Sequence, residues 1–385
     1  MKNFWNKHKK IIIIATLAVV LVIAGVLAVV GKNRNEPVEI AGAETQTEVE
    51  TQTEEPATQK ATEAPTEPEE KPFRKPLTGE PTDTDYSDIR PVAVMFNTIR
   101  QALPQSGNSH ADIYIEIPEE GGITRVCGIY QDITGVGMLG SIRSTREYFL
   151  SFVRSFDAIL AHAGSDSWVI NETANSGYAT MDALSNAYTA YWRDEDRLKD
   201  SSLEHSLVTS SDSLQEWLET SGIPKEHIKA DNTVLEFTDE ISDDMTGNGK
   251  TVTVNFSGYK RTTFKYNTKS GKYDVYFWEN DEPYIDAENN RQIDVTNIII
   301  LPVTTWNDID GWGVDRQKYD FSGGNGYYIS GGKSMEITWS KGDYNKSDEY
   351  GNPLKLTDSK GNELKLVTGK TYICVLNKVN EVVIE

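Results

Sequence analysis

Apolar residues follow three regimes along the chain. Residues 11–30 form an uninterrupted run, from Ile11-Ile12-Ile13-Ile14 to Leu27-Ala28-Val29-Val30, with no charged side chain. At a rise of about 1.5 Å per residue, twenty helical residues span roughly 30 Å, the thickness of a bilayer's hydrocarbon core. The run therefore predicts a single N-terminal transmembrane helix. Residues 31–88 show the opposite pattern, few apolar positions and no period, as in Glu44-Thr45-Gln46-Thr47-Glu48 and Glu63-Ala64-Pro65-Thr66-Glu67-Pro68. Such a stretch buries too little apolar area to offset its ordering entropy, and it predicts a disordered Thr/Glu/Pro-rich stalk. From Arg90 onward short apolar runs return at regular intervals.

Those runs predict strands at Pro91–Phe96, Asp112–Ile117 and Ile123–Gln131, and a buried strand at Asp157–Ala161 that stops at His162. Between them Ser144 with Glu147 three residues on has the form of a capping box, opening a helix through Tyr148, Phe149, Phe152 and Val153. Further helices are predicted over 167–174 and 210–220. After residue 240 the helical period disappears. Hairpins are predicted for 263–266 with 272–276, 327–329 with 335–339, and 354–356 with 363–366, each across a glycine turn. The fold class is thus α+β overall: an α/β layered domain with a mixed sheet over 89–240, then a mainly β domain over 241–385.

Charge orients this layout. The first 34 residues carry six basic and no acidic side chains, and the apolar run lies between them. The positive-inside bias then leaves residues 1–10 as a cytoplasmic basic tail and sends the bulk of the chain out of the cell. A cleaved signal peptide is the competing reading, but its apolar region would be shorter, and Ala41-Gly42-Ala43 lies too far downstream. Ile23-Ala24-Gly25 has the form that precedes an acylated cysteine, yet Val26 stands in that place, so attachment falls to the helix itself. The net charge is −21. An acidic surface repels phosphate backbones, which argues against a nucleic-acid partner. The expected partners are the membrane, through residues 11–30, and a cell-wall polymer or envelope protein.

In so acidic a chain, basic groups gathered at element ends are the candidate chemistry. Arg143 and Arg146 bracket the predicted helix start at Ser144, where backbone N–H groups and guanidiniums together favour an anion. Arg125 ends a neighbouring strand. The opposite reading pairs these arginines internally with Glu116, Glu120 or Asp157. His162 ends a buried strand, and His205 lies in a polar loop. Each could serve a hydrolase or transferase as a proton carrier, although no Gly-x-Ser-x-Gly elbow is present. No metal-ligand spacing and no cofactor motif occurs, so no cofactor is expected. Cys127 and Cys374 read as buried thiols or, failing that, a disulfide between domains. Trp306, Trp312 and Trp339 read as core aromatics or as an exposed row able to stack on sugar rings.

At these residues the sequence resembles the YerB-type lipoprotein family of Gram-positive bacteria (domain-of-unknown-function family 3048, N- and C-terminal domains), whose function is not established. The resemblance covers nearly all of residues 90–385. It is carried by Arg90-Pro91-Val92-Ala93-Val94-Met95 with Asn97, Pro104-Gln105-Ser106-Gly107, Glu116, Glu120-Gly121-Gly122-Ile123-Thr124-Arg125, Arg143-Ser144, and Arg146-Glu147-Tyr148-Phe149. His162-Ala163-Gly164, Trp192-Arg193-Asp194, His205 and Thr338-Trp339-Ser340-Lys341 extend it. The chain departs from the family pattern at Leu103, Ser141 and Ser206. The resemblance implies two extracytoplasmic domains, and the candidate ligand-binding set is Arg125, Arg143, Ser144, Arg146, His162, Arg193, His205, Glu116, Glu120 and Asn97. An envelope protein binding a polar or anionic ligand through its α/β domain is the leading expectation. An envelope enzyme and a ligand-free scaffold are the alternatives.

Overall fold

The computed structural model describes residues 71–385, apart from 201, 230 and 347. The predicted membrane helix and all but the end of the predicted stalk lie outside the described residues. No helix among the described residues is long and apolar enough to cross a membrane.

Val92–Asn97 (β1), Ile113–Pro118 (β2), Thr124–Tyr130 (β3) and Ile159–His162 (β4) are buried at every position. A strand covered on both faces can be apolar throughout, which is why these runs were legible. Side chains still alternate between two cores. Val94, Phe96 and Tyr114 enter one, with Phe264 and Tyr372; Met95, Ile113, Ile115 and Ile117 enter the other, with Phe149 and Phe152. The alternation in Asp112–Ile117 is therefore real, but both of its faces are interior, and Glu116 is fully buried.

These strands belong to an eleven-stranded sheet with Met181–Asp182 (β5), Asn297–Val303 (β6), Gly324–Ser330 (β7), Lys333–Ser340 (β8) and Thr371–Asn377 (β9). The order runs Gly247–Asn248, β8, β7, β6, β9, β2, β3, β1, β4, β5, with Lys355–Thr357 added on β8. The last strand of this sheet in sequence, β9, thus lies between the two sequence halves. β9 is parallel to both neighbours, with Cys374 opposite Ile300 on one side and Glu116 on the other. A smaller sheet, centred on Thr251–Asn255, Arg261–Asn267 and Lys272–Phe277, covers one face of the large one. The Glu147–Ser155 helix (α1) covers the other face.

The change of character near residue 240 is visible: every α-helix among the described residues precedes it. One sheet nevertheless runs through both parts, and the described residues belong to a single compact unit.

Several predicted details are corrected. Order begins before residue 88: Phe73–Arg74 pairs with Pro81–Thr82, and Leu77 is buried in the core that also holds Phe149 and Phe152. The Thr78 carbonyl accepts from Gly369 N–H, so this hairpin is tied down by the distant end of the chain. Ser144 does not cap α1; the cap position is Arg146, and no side chain accepts there. The 210–220 helix is capped as predicted, Ser210 accepting from Ser213 N–H. The last predicted hairpin is reduced to a Thr357–Glu363 bridge, because Lys365–Val367 pairs instead with Glu236–Thr238. Both cysteines are free and buried.

Candidate functional site

The three arginines do converge at one end of β1–β3, but each meets a carboxylate there. Arg125 is buried against Glu119 and also donates to the Ser144 carbonyl. Arg146 forks onto Glu120, with Nε 3.2 Å from Oε1 and Nη2 2.9 Å from Oε2. Its Nη2 also lies 3.8 Å from Glu119 Oε2. Arg143, partly exposed, pairs with Glu204. Burial raises the Glu119 carboxyl, with Arg125 and Arg146 opposing. Partial burial acts the same way on Glu120, but the hydrogen bonds and charges of Arg146 and Arg316 bring it below the usual range. Of the two sequence readings for the arginines, internal pairing is the one this geometry carries.

The other predicted residues separate. Glu116 is claimed by Lys260, Thr124, Thr262 and Tyr372 in the interior. His162 is buried with both ring nitrogens engaged, Nδ1 at 2.9 Å from the Gly164 carbonyl and Nε2 at 2.9 Å from Thr180 Oγ1. The carbonyl can only accept, so Nδ1 carries a proton, and burial disfavours the charged ring. Asn97 and His205 come together at the end of β1, Asn97 Nδ2 lying 2.9 Å from His205 Nδ1. Burial, with Arg143 nearby, lowers the His205 pKa despite Glu204. Arg193 lies apart, donating to the Leu203 carbonyl.

His162 yields a pH prediction. Burial holds its pKa below the ordinary 6.5, with Asp182 opposing. The unfolded chain therefore binds the proton more readily, and stability is lost as pH falls through 6.5 toward the folded value. Between pH 7 and pH 5 the melting temperature should drop more steeply for the wild type than for His162→Gln. Parallel slopes in a pair of calorimetric series would remove His162 as the cause.

One of several open clefts among the described residues adjoins the paired carboxylates. A cleft of about 370 Å³ is walled by Pro118 to Gly122 on one side and by Asn307, Asp315 and Gln317 on the other. Phe256 and Ser257 with Asn377 and Asn380 complete it. Gly121 and Gly122 both have positive φ, 78° and 76°, and glycine makes that turn accessible without strain. The opposite wall is a two-stranded hairpin, Thr305–Ile309 with Asp315–Tyr319, in which Asn307 faces Gln317. Tyr319 Oη donates to the Pro118 carbonyl at 2.6 Å, and Lys318 pairs with Glu147, fixing the hairpin against the first half. Among the described residues no group of three acidic, histidine or cysteine side chains could hold a metal ion.

Sequence reasoning reached Glu120 in this cleft and missed the amides. Asn307 and Gln317 lie within the two hairpin strands, and Asn377 and Asn380 at and just after the end of β9. Their convergence requires β9 to lie beside β2, which no local pattern reports.

The fold is that of an α+β protein with one sheet spanning two sequence domains, and the chain belongs to the family described as a protein of unknown function (DUF3048). Its N-terminal domain matches residues 77–224 and its C-terminal domain residues 252–373. The chain is 29% identical over 304 residues to "Putative lipoprotein YerB" of Bacillus subtilis (strain 168), covering 78% of this chain and 85% of that protein. The crystal structure of YerB protein from Bacillus subtilis matches it with a TM-score of 0.67 at 28% identity, over 81% of this chain and 99% of that one. The family resemblance read from the sequence motifs is borne out.

Proposed function

We propose that this chain is a membrane-tethered, extracytoplasmic protein of the cell envelope that binds a polar, hydroxyl-rich envelope ligand in the cleft between the Glu119–Gly122 turn and the 305–319 hairpin. The charge-free run at 11–30, its basic flanks and the lipoprotein name of the Bacillus subtilis relative support the location. The observation that carries the ligand class is the cleft's lining: four side-chain amides, a serine hydroxyl and carboxylates. Amides both donate and accept, which suits hydroxyl groups that do the same. An anionic ligand at the arginines has less support, because Arg125, Arg143 and Arg146 each already hold a carboxylate.

Titration calorimetry of the full-length chain in detergent micelles, with soluble cell-wall glycan fragments, tests this. Each neutral hydrogen bond contributes about 0.5–1.5 kcal/mol, so Asn307→Ala with Gln317→Ala should weaken binding about tenfold. Binding unchanged in the double variant would sink the cleft as the site. For the location, fractionation should find the full-length chain in membranes. A soluble, shortened product would contradict the uncleaved anchor.

A further inference from the structure

We propose that Lys318 and Asn345 join in an intramolecular isopeptide bond, a cross-link that the folded chain forms on itself with Glu147 as the proton carrier. The bond concerns the chain alone and stands whether or not the cleft takes a ligand.

Three side chains of complementary chemistry meet behind the hairpin. Lys318 follows Gln317 in its strand, so alternation turns it away from the cleft and into the protein, where it is buried. Its Nζ lies 3.2 Å from Asn345 Oδ1 and touches the Glu147 carboxylate. The Trp168 ring centroid is 3.8 Å from the same nitrogen, and that of Tyr344 is 5.6 Å away. A lysine amine shielded by rings becomes a competent nucleophile once its proton is removed. Glu147, itself buried, is placed to remove it. Burial pushes its carboxyl up to about 7, with Lys318 opposing and Asp166 adding, so the group can take and return a proton near neutral pH.

Asn345 supplies the electrophile. The residue is exposed, but its amide is held at both ends: Oδ1 turns inward to Lys318, and Nδ2 donates to Asp343 Oδ1 at 2.8 Å. The carbonyl is thus fixed against the nucleophile, and the nitrogen that must leave rests on a carboxylate that favours it as ammonium. The other buried lysines are set differently. Lys260 meets Glu116 and a threonine hydroxyl, and Lys341 meets a serine hydroxyl.

The step balances without a co-reactant. Lys318 gives a proton to Glu147, and its neutral Nζ attacks Asn345 Cγ. The Nζ–Cγ bond forms and the Cγ–Nδ2 bond breaks. Nδ2 departs as ammonium, carrying two protons that came from Lys318 through Glu147, and Glu147 ends unchanged. Nothing is oxidised or reduced. The product ties the hairpin to the loop that follows β8.

Mass spectrometry of the purified full-length chain, held at neutral pH, tests this. The wild type should fall short of its sequence mass by one ammonia, about 17 Da. Its tryptic digest should contain a branched peptide joining Lys318 to Asn345. Asn345→Ala, at an exposed position, should show its full sequence mass and melt at a lower temperature, because a covalent loop closure is lost. Glu147→Gln should also lack the branched peptide. A wild-type chain at full sequence mass, or a deficit that maps to other residues, overturns the proposal, and this reading does not depend on any variant folding. A branched peptide that forms equally in Glu147→Gln overturns the role of Glu147.

Discussion

Lys260→Met should destabilise the folded protein by about 3–5 kcal/mol, the usual cost of removing one partner from a buried ion pair. Lys260 Nζ lies 3.1 Å from Glu116 Oε1, and both side chains are almost wholly excluded from solvent. Burial pushes the Lys260 ammonium down to about 8, with Glu116 opposing. Glu116 also accepts from Thr124 Oγ1 at 2.6 Å, Thr262 Oγ1 at 2.8 Å and Tyr372 Oη at 2.7 Å. These donors come from β3, from the smaller sheet and from β9, so the carboxylate joins elements of both sequence domains. Methionine keeps the length and apolar stem of lysine but leaves the charge on Glu116 uncompensated. The double variant Glu116→Gln with Lys260→Met should recover much of the loss, since no buried charge then remains. Urea denaturation reads both results. A single-variant loss below about 1 kcal/mol would show that Glu116 is stabilised by its hydroxyl donors alone.

A second buried lysine should behave in the opposite way. Lys341 is buried to 1% exposure, its Nζ donates to Ser151 Oγ, and it lies 5.2 Å from the Phe152 ring centroid. It has no carboxylate partner among the described residues, and burial, with Lys229 and Arg154 adding to it, lowers its pKa well below 10.5. A folded pKa held below that of the unfolded chain costs stability at every pH under 10.5. Lys341→Met should therefore stabilise the protein at pH 7, because Ser151 keeps its own bond to the Tyr350 carbonyl at 2.8 Å. The sign follows from proton counting. Between the folded pKa and 10.5 the unfolded chain binds the extra proton, so wild-type stability rises with pH by about 1.4 kcal/mol per unit. The variant lacks this rise, and its advantage should shrink accordingly from pH 7 to pH 10. A difference that stays constant over that range would mean that Lys341 keeps its proton in the fold.

The two lysines show where sequence patterning stops. Lys260 follows a Ser-Gly-Tyr turn and Lys341 follows the predicted 335–339 strand, and no local period marks either position as buried. Their burial depends on what is packed over them, the smaller sheet in one case and α1 with Phe321 in the other. Ser144 makes the same point at a helix start. Its spacing to Glu147 fits a capping box, but Arg125 and Arg146 draw its carbonyl and hydroxyl into the ion-pair cluster, and the helix begins later.

The sequence by itself determined the strands of the first half, the capped 210–220 helix, the all-β character after residue 240 and the family, because these rest on local periods and short motifs. Only the tertiary structure decided that the arginines are spent on Glu119, Glu120 and Glu204, that Glu116 belongs to the core, and that β9 closes the sheet between the halves. It also decided that the open cleft is lined by amides and acids. The arginine pairs join residues 6 to 61 positions apart across different elements, and the Glu116 and β9 pairings join residues more than a hundred apart. Loop closure and burial set such pairings, and a chain of residue types read in order does not contain them.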